Sequence, residues 1–228
     1  MGDIVTYLAL DQSSSTGLAK LCDGDATSRP GNWTLFSEQR LKKYPVKWIY
    51  YPEQDQSLGY GFWDLGESPT GIEYRPSRLL DCLIEINRFS PIEGLFWEQK
   101  LRSEGNFAND LASKLIGVIE MFAVKRRPRF KKEVPTTAWP DHFVGRVELQ
   151  RGRAQFAHIA DQKVKKDKRR KIKKSLTMQR ASSYGMKCER DDEADAIGIL
   201  DYAVSTIVGR PVPWSTDDAL RAPLSYRL

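Results

Sequence analysis

Two short apolar segments, far apart in the chain, each end at a carboxylate. Ile4–Leu10 is apolar and partly β-branched and is followed by Asp11, and Ile92–Trp97 has the same character and is followed by Glu98. Strands that are apolar on both faces lie in sheets that helices cover on both sides. Ligands of open α/β sheets bind where such strands end. The two segments therefore predict an α/β fold with acidic residues together at the ends of its strands.

The other segments alternate between strand and helix patterns. Apolar residues at intervals of three and four predict helices, and short apolar runs bounded by turn residues predict strands. In chain order these are strands at 17–21 and 33–41, a helix at 76–89, the strand at 92–98, a helix at 107–122, a strand at 130–134, a helix through Leu176 and Met178, and a last helix that begins in the acidic cluster 191–195 and ends at Gly209. This order predicts a mixed five-stranded sheet flanked by helices.

Residues 42–75 interrupt this pattern, because they are rich in glycine and proline and crowded with aromatic side chains. We expect an insertion with its own short strands or a long loop, and the aromatic residues of 48–63 favour a local core over a platform for nucleic-acid bases. The chain is predicted to be one domain over 1–208, with a C-terminal tail over 209–228 whose prolines favour an extended path.

Basic residues are concentrated in one part of the chain. Residues 125–174 hold 18 Lys and Arg against 5 Asp and Glu, a balance of +13, whereas the rest holds 18 against 25, a balance of −7. Nine of the twelve residues of 163–174 are basic. Such a segment is either a solvated surface or a binding site for a polyanion. We favour phosphate binding, because the segment leads into a helix that should pack near the acidic residues.

The candidate DNA-binding residues all come from this basic block. They are Lys131, Lys132, Lys163, Lys165, Lys166, Lys168, Arg169, Arg170, Lys171, Lys173 and Lys174.

The last helix adds two more carboxylates to the strand ends. Asp192 and Asp195 lie one turn apart at its start, so both face the same side. Several converging carboxylates are typical of a site for Mg²⁺, which prefers oxygen ligands. Two such ions about 4 Å apart can stabilise the attacking water and the leaving oxygen of a phosphodiester. We therefore predict Asp11, Glu98, Asp192 and Asp195 as catalytic metal ligands, for two Mg²⁺ ions with Mn²⁺ as a substitute.

Several residues near this cluster have a second interpretation. Asp192 could instead cap the last helix, with Asp191 as the ligand. Glu193 lies on another helical face and is expected to be solvated or to stabilise the helix dipole. His142 and His158 are expected to be structural.

The segments that contain these carboxylates resemble the RuvC-type Holliday junction resolvases, which have the ribonuclease-H-like fold. The resemblance covers roughly residues 4–205 and rests on Leu8–Asp11, Ser15–Gly17, Phe96–Gln99 and Asp192–Ile197, in order and with fitting spacing. The pattern around Asp192–Ala196 and the long basic segment are more similar to resolvases of phages and other mobile elements.

The resemblance implies a crossover junction endodeoxyribonuclease of DNA recombination and repair. Such an enzyme is metal-dependent, acts as a homodimer on four-way or otherwise branched DNA, and leaves ligatable 5′-phosphate and 3′-hydroxyl ends. Three other functions stay open: a ribonuclease-H-like nuclease acting on RNA–DNA hybrids or flaps, an actin-like or sugar-kinase-type ATPase, and a non-catalytic DNA-binding module.

Other features of the sequence argue against a membrane or extracellular protein. The apolar runs are far shorter than the roughly 18 residues that span a bilayer, and the N-terminus lacks a basic region and a cleavage site. Cys22, Cys82 and Cys188 are isolated and odd in number, which argues against a disulfide framework or a zinc site. We expect a cytoplasmic protein with no membrane partner, in a bacterial or phage-infected cell.

Overall fold

The computed structural model of the chain describes residues 5–12, 15–24, 46–65, 74–99 and 106–214. The strands in these ranges are β1 (Thr6–Asp11), β2 (Ser15–Asp23), β3 (Lys47–Tyr51), β4 (Gln56–Asp64), β5 (Ile92–Glu98) and β6 (Phe130–Val134). The helices are α1 (Tyr74–Phe89), α2 (Asn106–Arg126), the short turn α3 (Ala138–Pro140), α4 (Arg146–Ala154), α5 (Gln162–Ser183) and α6 (Asp191–Tyr202), with π-helical segments at Asp141–Gly145 and Ala203–Val208.

The described strands form one mixed sheet in the order β3-β4-β2-β1-β5-β6. Strands β1 to β4 are antiparallel neighbours, whereas β5 runs parallel to β1 and β6 runs parallel to β5. This arrangement confirms the predicted α/β class with a mixed sheet flanked by helices. The sheet has six strands rather than the predicted five. The predicted strand at 33–41 lies outside the described residues.

The additional strands come from the aromatic segment within 42–75. Strand β4 pairs with β2 along its whole length, so it is an inner strand of the sheet. Leu58, Tyr60 and Phe62 are apolar at alternate positions, and between the first two Gly59 faces the indole of Trp48 on β3. A Cβ at Gly59 would lie 2.8 Å from that ring. The glycine makes room for the aromatic side chain, and this packing concealed the strand in the sequence.

Helices cover both faces of the sheet, and each face has its own core. Leu8 and Leu10 of β1 pack with apolar residues of α1 and α2 on one face. Tyr7 and Ala9 pack on the opposite face with residues of α6 and of the segment from α3 to α5. The alternation along β1 thus buries the strand on both sides, as its apolar sequence predicted.

The second half of the chain contains helices that the sequence did not predict and one that is longer than expected. Residues 138–154 form α3, a π-helical segment and α4, where we had predicted no element. The basic segment 163–174 is the first half of α5 rather than a lead into it, and Asp161 caps this helix by accepting from the backbone N–H groups of Lys163 and Val164.

Gly209 separates the last helical segment from the start of the tail. Its φ of 75° is the left-handed conformation that glycine adopts readily, and it ends the helical run where predicted. Beyond it, Val212 and Trp214 are buried against the core, so the described start of the predicted tail is packed. The division into a domain over 1–208 and a tail stays a prediction. None of the helices in the described ranges is long and apolar enough to cross a membrane.

Candidate active site

Strands β1 and β5 end side by side and place Asp11 next to Glu98. The two strands are parallel neighbours, and the register pairs the residues that precede the two carboxylates. Because side chains alternate along a strand, Asp11 shares a face with Ala9, and Glu98 shares a face with Phe96. Both apolar residues belong to the core beneath α6. The two carboxylates therefore lie on the face of the sheet that α6 covers.

Helix α6 begins directly over this end of β1. Gly17 on β2 pairs with Asp11, and a Cβ at Gly17 would overlap the carbonyl oxygen of Asp192. Only glycine allows the first turn of the helix so close to the sheet. Asp192 and Asp195 lie in this part of α6, and Asp195 is only 8% exposed. The fold thus brings the four predicted carboxylates to one place.

Desolvation and the charges of neighbouring carboxylates raise the pKa of Asp11, Asp192 and Asp195. Burial raises the pKa of Asp11 well above its usual value, and the charges of Asp195, Glu98 and Asp192 raise it further. Burial also raises the pKa of Asp195 to about 7. The pKa of Asp192 is raised by burial as well, although Lys174 and Arg190 oppose the rise. Desolvation and mutual repulsion both disfavour the charged form of these carboxylates. A proton or a cation bound among them relieves the repulsion.

Carboxylate oxygens are suitable ligands for a hard divalent cation such as Mg²⁺. The four side chains, however, do not form a complete coordination site as they stand. Among the described residues, no three His, Cys, Asp or Glu side chains are placed so that they could hold a metal ion as they stand. Asp195 Oδ1 is buried without a hydrogen-bond partner. A buried carboxylate oxygen with no donor costs free energy that an oxygen-seeking cation would recover. By the chemistry of their oxygen atoms, these residues fit Mg²⁺.

Two side chains donate hydrogen bonds to Glu98, one to its backbone and one to its carboxylate. Its backbone carbonyl accepts a hydrogen bond from the side-chain amide of Gln12, just beyond β1. Its carboxylate oxygen Oε1 accepts from the indole Nε1 of Trp139, at 2.8 Å. Trp139 is fully buried and lies in α3, which we had not predicted. Because a tryptophan in a polar, proline-rich stretch gives no local signal for such a role, the sequence did not identify it.

Cations of α5 stand close enough to the acidic cluster to change its electrostatics. Lys173 lowers the pKa of Asp11 and of Asp195 against the effect of burial, and Lys174 does the same for Asp195 and Asp192. Arg170, one turn earlier, also opposes the rise at Asp192. The predicted basic segment and the predicted acidic cluster therefore adjoin near the middle of α5.

The rest of the basic segment forms an exposed cationic surface. Lys165, Lys173 and Lys174 are partly exposed. The exposed basic residues of this half-helix are Lys163, Lys166, Lys168, Arg169, Arg170 and Lys171. Apolar burial in α5 begins only at Ile172, so its first ten residues present their side chains to solvent.

Lys131 and Lys132 lie elsewhere, on β6 at the end of the strand order. Both are exposed, and they line an open groove of about 650 Å³ together with Trp97 and Val124. The groove also contains Glu120 and Glu133, so its charge is mixed. The role of these two lysines in DNA binding stays a prediction, and they are not part of the cationic surface that α5 presents.

Of the two expectations for Glu193, the structure contradicts a solvated side chain and agrees with a carboxylate in the first turn of the helix. Glu193 is only 1% exposed rather than solvated, and both its carboxylate oxygens lie 3.3 Å from Nζ of Lys47 on β3. One oxygen also accepts from the backbone N–H groups of Glu189 and Arg190, which places it at the start of α6 as a cap. The sequence could not reveal Lys47 as a partner, because the two residues are far apart in the chain.

Asp191 forms an ion pair with Lys174, and Asp192 lies inside α6 rather than at its cap. The charge of Asp192 raises the pKa of Asp11 and Asp195, and Asp192 stays the predicted ligand. His142 contacts the fully buried Asp201 at 3.2 Å, and His158 is exposed.

Fold and site together define an α/β protein with an acidic cluster at its strand ends and a cationic helix beside it. No protein-family model and no curated protein matches the sequence. Among solved structures, Thermus thermophilus RuvC in complex with a Holliday junction substrate is similar, with 14% identity and a TM-score of 0.49 over 91% of this chain and 97% of that chain.

A second structure of Thermus thermophilus RuvC has a TM-score of 0.47 and 14% identity, over 90% of this chain and 96% of that chain. Similarity at this level assigns no function, which has to come from the residues of this chain.

Proposed function

We propose that this chain is a metal-dependent endonuclease that cleaves branched DNA, with a four-way junction as its substrate. The observation that supports this most is the convergence of Asp11, Glu98, Asp192 and Asp195 beside the cations of α5. Buried carboxylates that repel one another favour a bound cation, whereas an exposed row of Lys and Arg favours a polyanion. A nucleic-acid backbone with a divalent ion satisfies both demands at one place.

The four carboxylates are the residues that would hold the divalent ions, Mg²⁺ or in its place Mn²⁺, two per site. Once bound, such ions supply Lewis-acid stabilisation for hydrolysis of a phosphodiester. Asp11 and Glu98 are fixed by the sheet, and Asp192 and Asp195 by the start of α6. Because the two pairs come from different elements, the separation between them depends on the close approach of α6 to Gly17.

The cations of the chain perform the other part of the reaction, which is to bind and orient DNA. Lys173 and Lys174 lie next to the carboxylates, so they would contact phosphates close to the scissile bond. The exposed residues earlier in α5 extend this contact along one arm of the substrate. Binding by phosphate contacts does not depend on base sequence, and we expect it to weaken steeply with salt.

Two parts of this proposal, the four-way junction as substrate and the homodimeric state, are based on the sequence resemblance. Two symmetric cuts across a junction require two active sites, which a dimer with twofold symmetry provides. Phosphate contacts alone do not distinguish a junction from an RNA–DNA hybrid or a flap. Those substrates, and the possibilities of an ATPase or a non-catalytic module, are therefore outcomes of the experiment.

The test is a substrate panel with Mg²⁺ present: a synthetic four-way junction, a flap, an RNA–DNA hybrid and a plain duplex. We expect the wild-type protein to nick the junction and leave ends that a ligase reseals, and Asp11→Asn to leave every substrate intact. Asp23→Asn, at the other end of the sheet, is the matched control and should cut normally. Preferential cutting of the hybrid or flap would replace the junction as substrate, and no cutting at all would refute the nuclease.

A further inference from the structure

The indole of Trp139 is a fully buried donor to a carboxylate of the acidic cluster. Its Nε1 donates to Oε1 of Glu98 at 2.8 Å, across the gap between α3 and the end of β5. The ring itself has no exposed surface. A hydrogen bond to a charged group in such surroundings is stronger than one between neutral partners.

The indole is fixed by its packing as well as by this hydrogen bond. A Cβ at Gly198 of α6 would lie 2.6 Å from the six-membered ring of the indole, so only glycine leaves room for it there. On its other side, Nζ of Lys173 lies 4.4 Å from the ring centroid, within range of a cation–π interaction. Trp139 therefore touches β5, α5 and α6, the three elements besides β1 that supply the acidic and basic groups of the site.

We propose that Trp139 is a positioning residue: its N–H holds the Glu98 carboxylate in the orientation that a divalent cation needs. This inference rests on the proposed function only in taking Glu98 as a cation ligand. Groups that hydrogen-bond to ligating carboxylates fix the orientation of the ligand, and their loss typically weakens metal affinity by about 10- to 100-fold. Because its ring is fully buried, Trp139 would act through Glu98 and not by contact with DNA.

The direct test removes the N–H and keeps an aromatic ring. Trp139→Phe should retain the packing beside Gly198 and a face for Lys173, and should bind Mn²⁺ about 10-fold more weakly in calorimetric titrations without DNA. The matched control is Trp214→Phe, because Trp214 donates its Nε1 to another buried carboxylate, Oδ2 of Asp201, at 3.3 Å. That variant should keep the wild-type affinity for Mn²⁺.

A double mutant separates positioning from general damage to the fold. If Trp139 acts through Glu98, then adding Trp139→Phe to Glu98→Gln should cause no further loss of Mn²⁺ affinity, whereas independent effects would add. The affinity for junction DNA in EDTA should stay within about twofold of the wild type for Trp139→Phe, since its phosphate contacts are intact. Equal Mn²⁺ affinity of Trp139→Phe and wild type would overturn the proposal.

A measurement on the wild-type protein remains decisive if the variant does not fold. Titration with Mg²⁺ should shift the indole N–H resonance of Trp139 in step with metal binding and leave that of Trp214 in place. An unchanged Trp139 resonance at saturating Mg²⁺ would also overturn the proposal. Metal binding with these signatures but no cleavage of any DNA would refute the nuclease and leave the role of Trp139 intact, so the two failures are distinguishable.

Discussion

Replacing Asp195 by asparagine should stabilise the protein while it destroys the proposed site. Asp195 is 8% exposed, its Oδ1 has no hydrogen-bond partner, and its charge is opposed by burial and by Glu98. Asparagine has almost the same shape and no charge, and its amide can donate to the neighbouring carboxylates. Without a divalent cation, we therefore expect Asp195→Asn to unfold at a higher denaturant concentration than the wild type at pH 8.

The magnitude follows from the pKa of Asp195. Burial raises it from the ordinary value of 3.8 to about 7, and three pKa units correspond to a destabilisation on the order of 4 kcal/mol at most. A carboxyl with a raised folded-state pKa binds its proton more tightly in the folded protein. Its penalty is absent below the unfolded-state pKa near 4, grows as the pH rises, and is complete above about 7.

The assay is urea unfolding in EDTA at pH 5 and pH 8, for the wild type and for Asp195→Asn. The variant should gain more at pH 8 than at pH 5, and Mg²⁺ should stabilise the wild type but not the variant. The control is Asp201→Asn on the same helix. Its carboxylate is fully buried but accepts from Trp214 and contacts His142, so that variant should lose about 1–3 kcal/mol. An Asp195→Asn protein no more stable than the wild type at pH 8 would refute the reasoning.

Three further predictions concern the supports of the site. Gly17→Ala should displace the first turn of α6 from the sheet, so that Mg²⁺-dependent cleavage falls at least tenfold while junction binding in EDTA persists; an unchanged rate would contradict the close approach at Asp192. The pair Lys166→Gln and Arg170→Gln should weaken junction binding and lower the slope of log affinity against log salt by about two, as measured by fluorescence anisotropy. Glu193→Gln should cost about 1–3 kcal/mol in urea unfolding, because it weakens a buried ion pair and a helix cap.

The parts of the fold that could be predicted are those that a local pattern specifies. The apolar runs before Asp11 and Glu98 predicted β1 and β5, and the spacing of α6 predicted that Asp192 and Asp195 face the same side. Strand β4 was predicted only as part of an insertion with short strands or a long loop, because Gly59 and Gly61 alternate with its apolar residues and are typical of turns. The reason for Gly59, which is the room that Trp48 on β3 needs, is visible only once the two strands are paired.

The supports of the site depend on contacts between residues far apart in the chain. Glu193 is buried because Lys47 reaches it from β3, and Trp139 meets Glu98 because α3 packs against the end of β5. Neither side chain has neighbours in the sequence that would indicate its role. The four carboxylates could be found from two strand ends and the start of the last helix, whereas the groups that orient and balance them could not.

The most direct test of the account separates binding from cleavage in one experiment with a labelled four-way junction. In EDTA, the wild-type protein and Asp11→Asn should bind the junction with similar affinity, because α5 supplies the phosphate contacts. When Mg²⁺ is added, the wild type should cut the junction and Asp11→Asn should hold it uncut. Cleavage by Asp11→Asn at the wild-type rate, or an intact junction with both proteins, would contradict the assignment of the acidic cluster as a nuclease site.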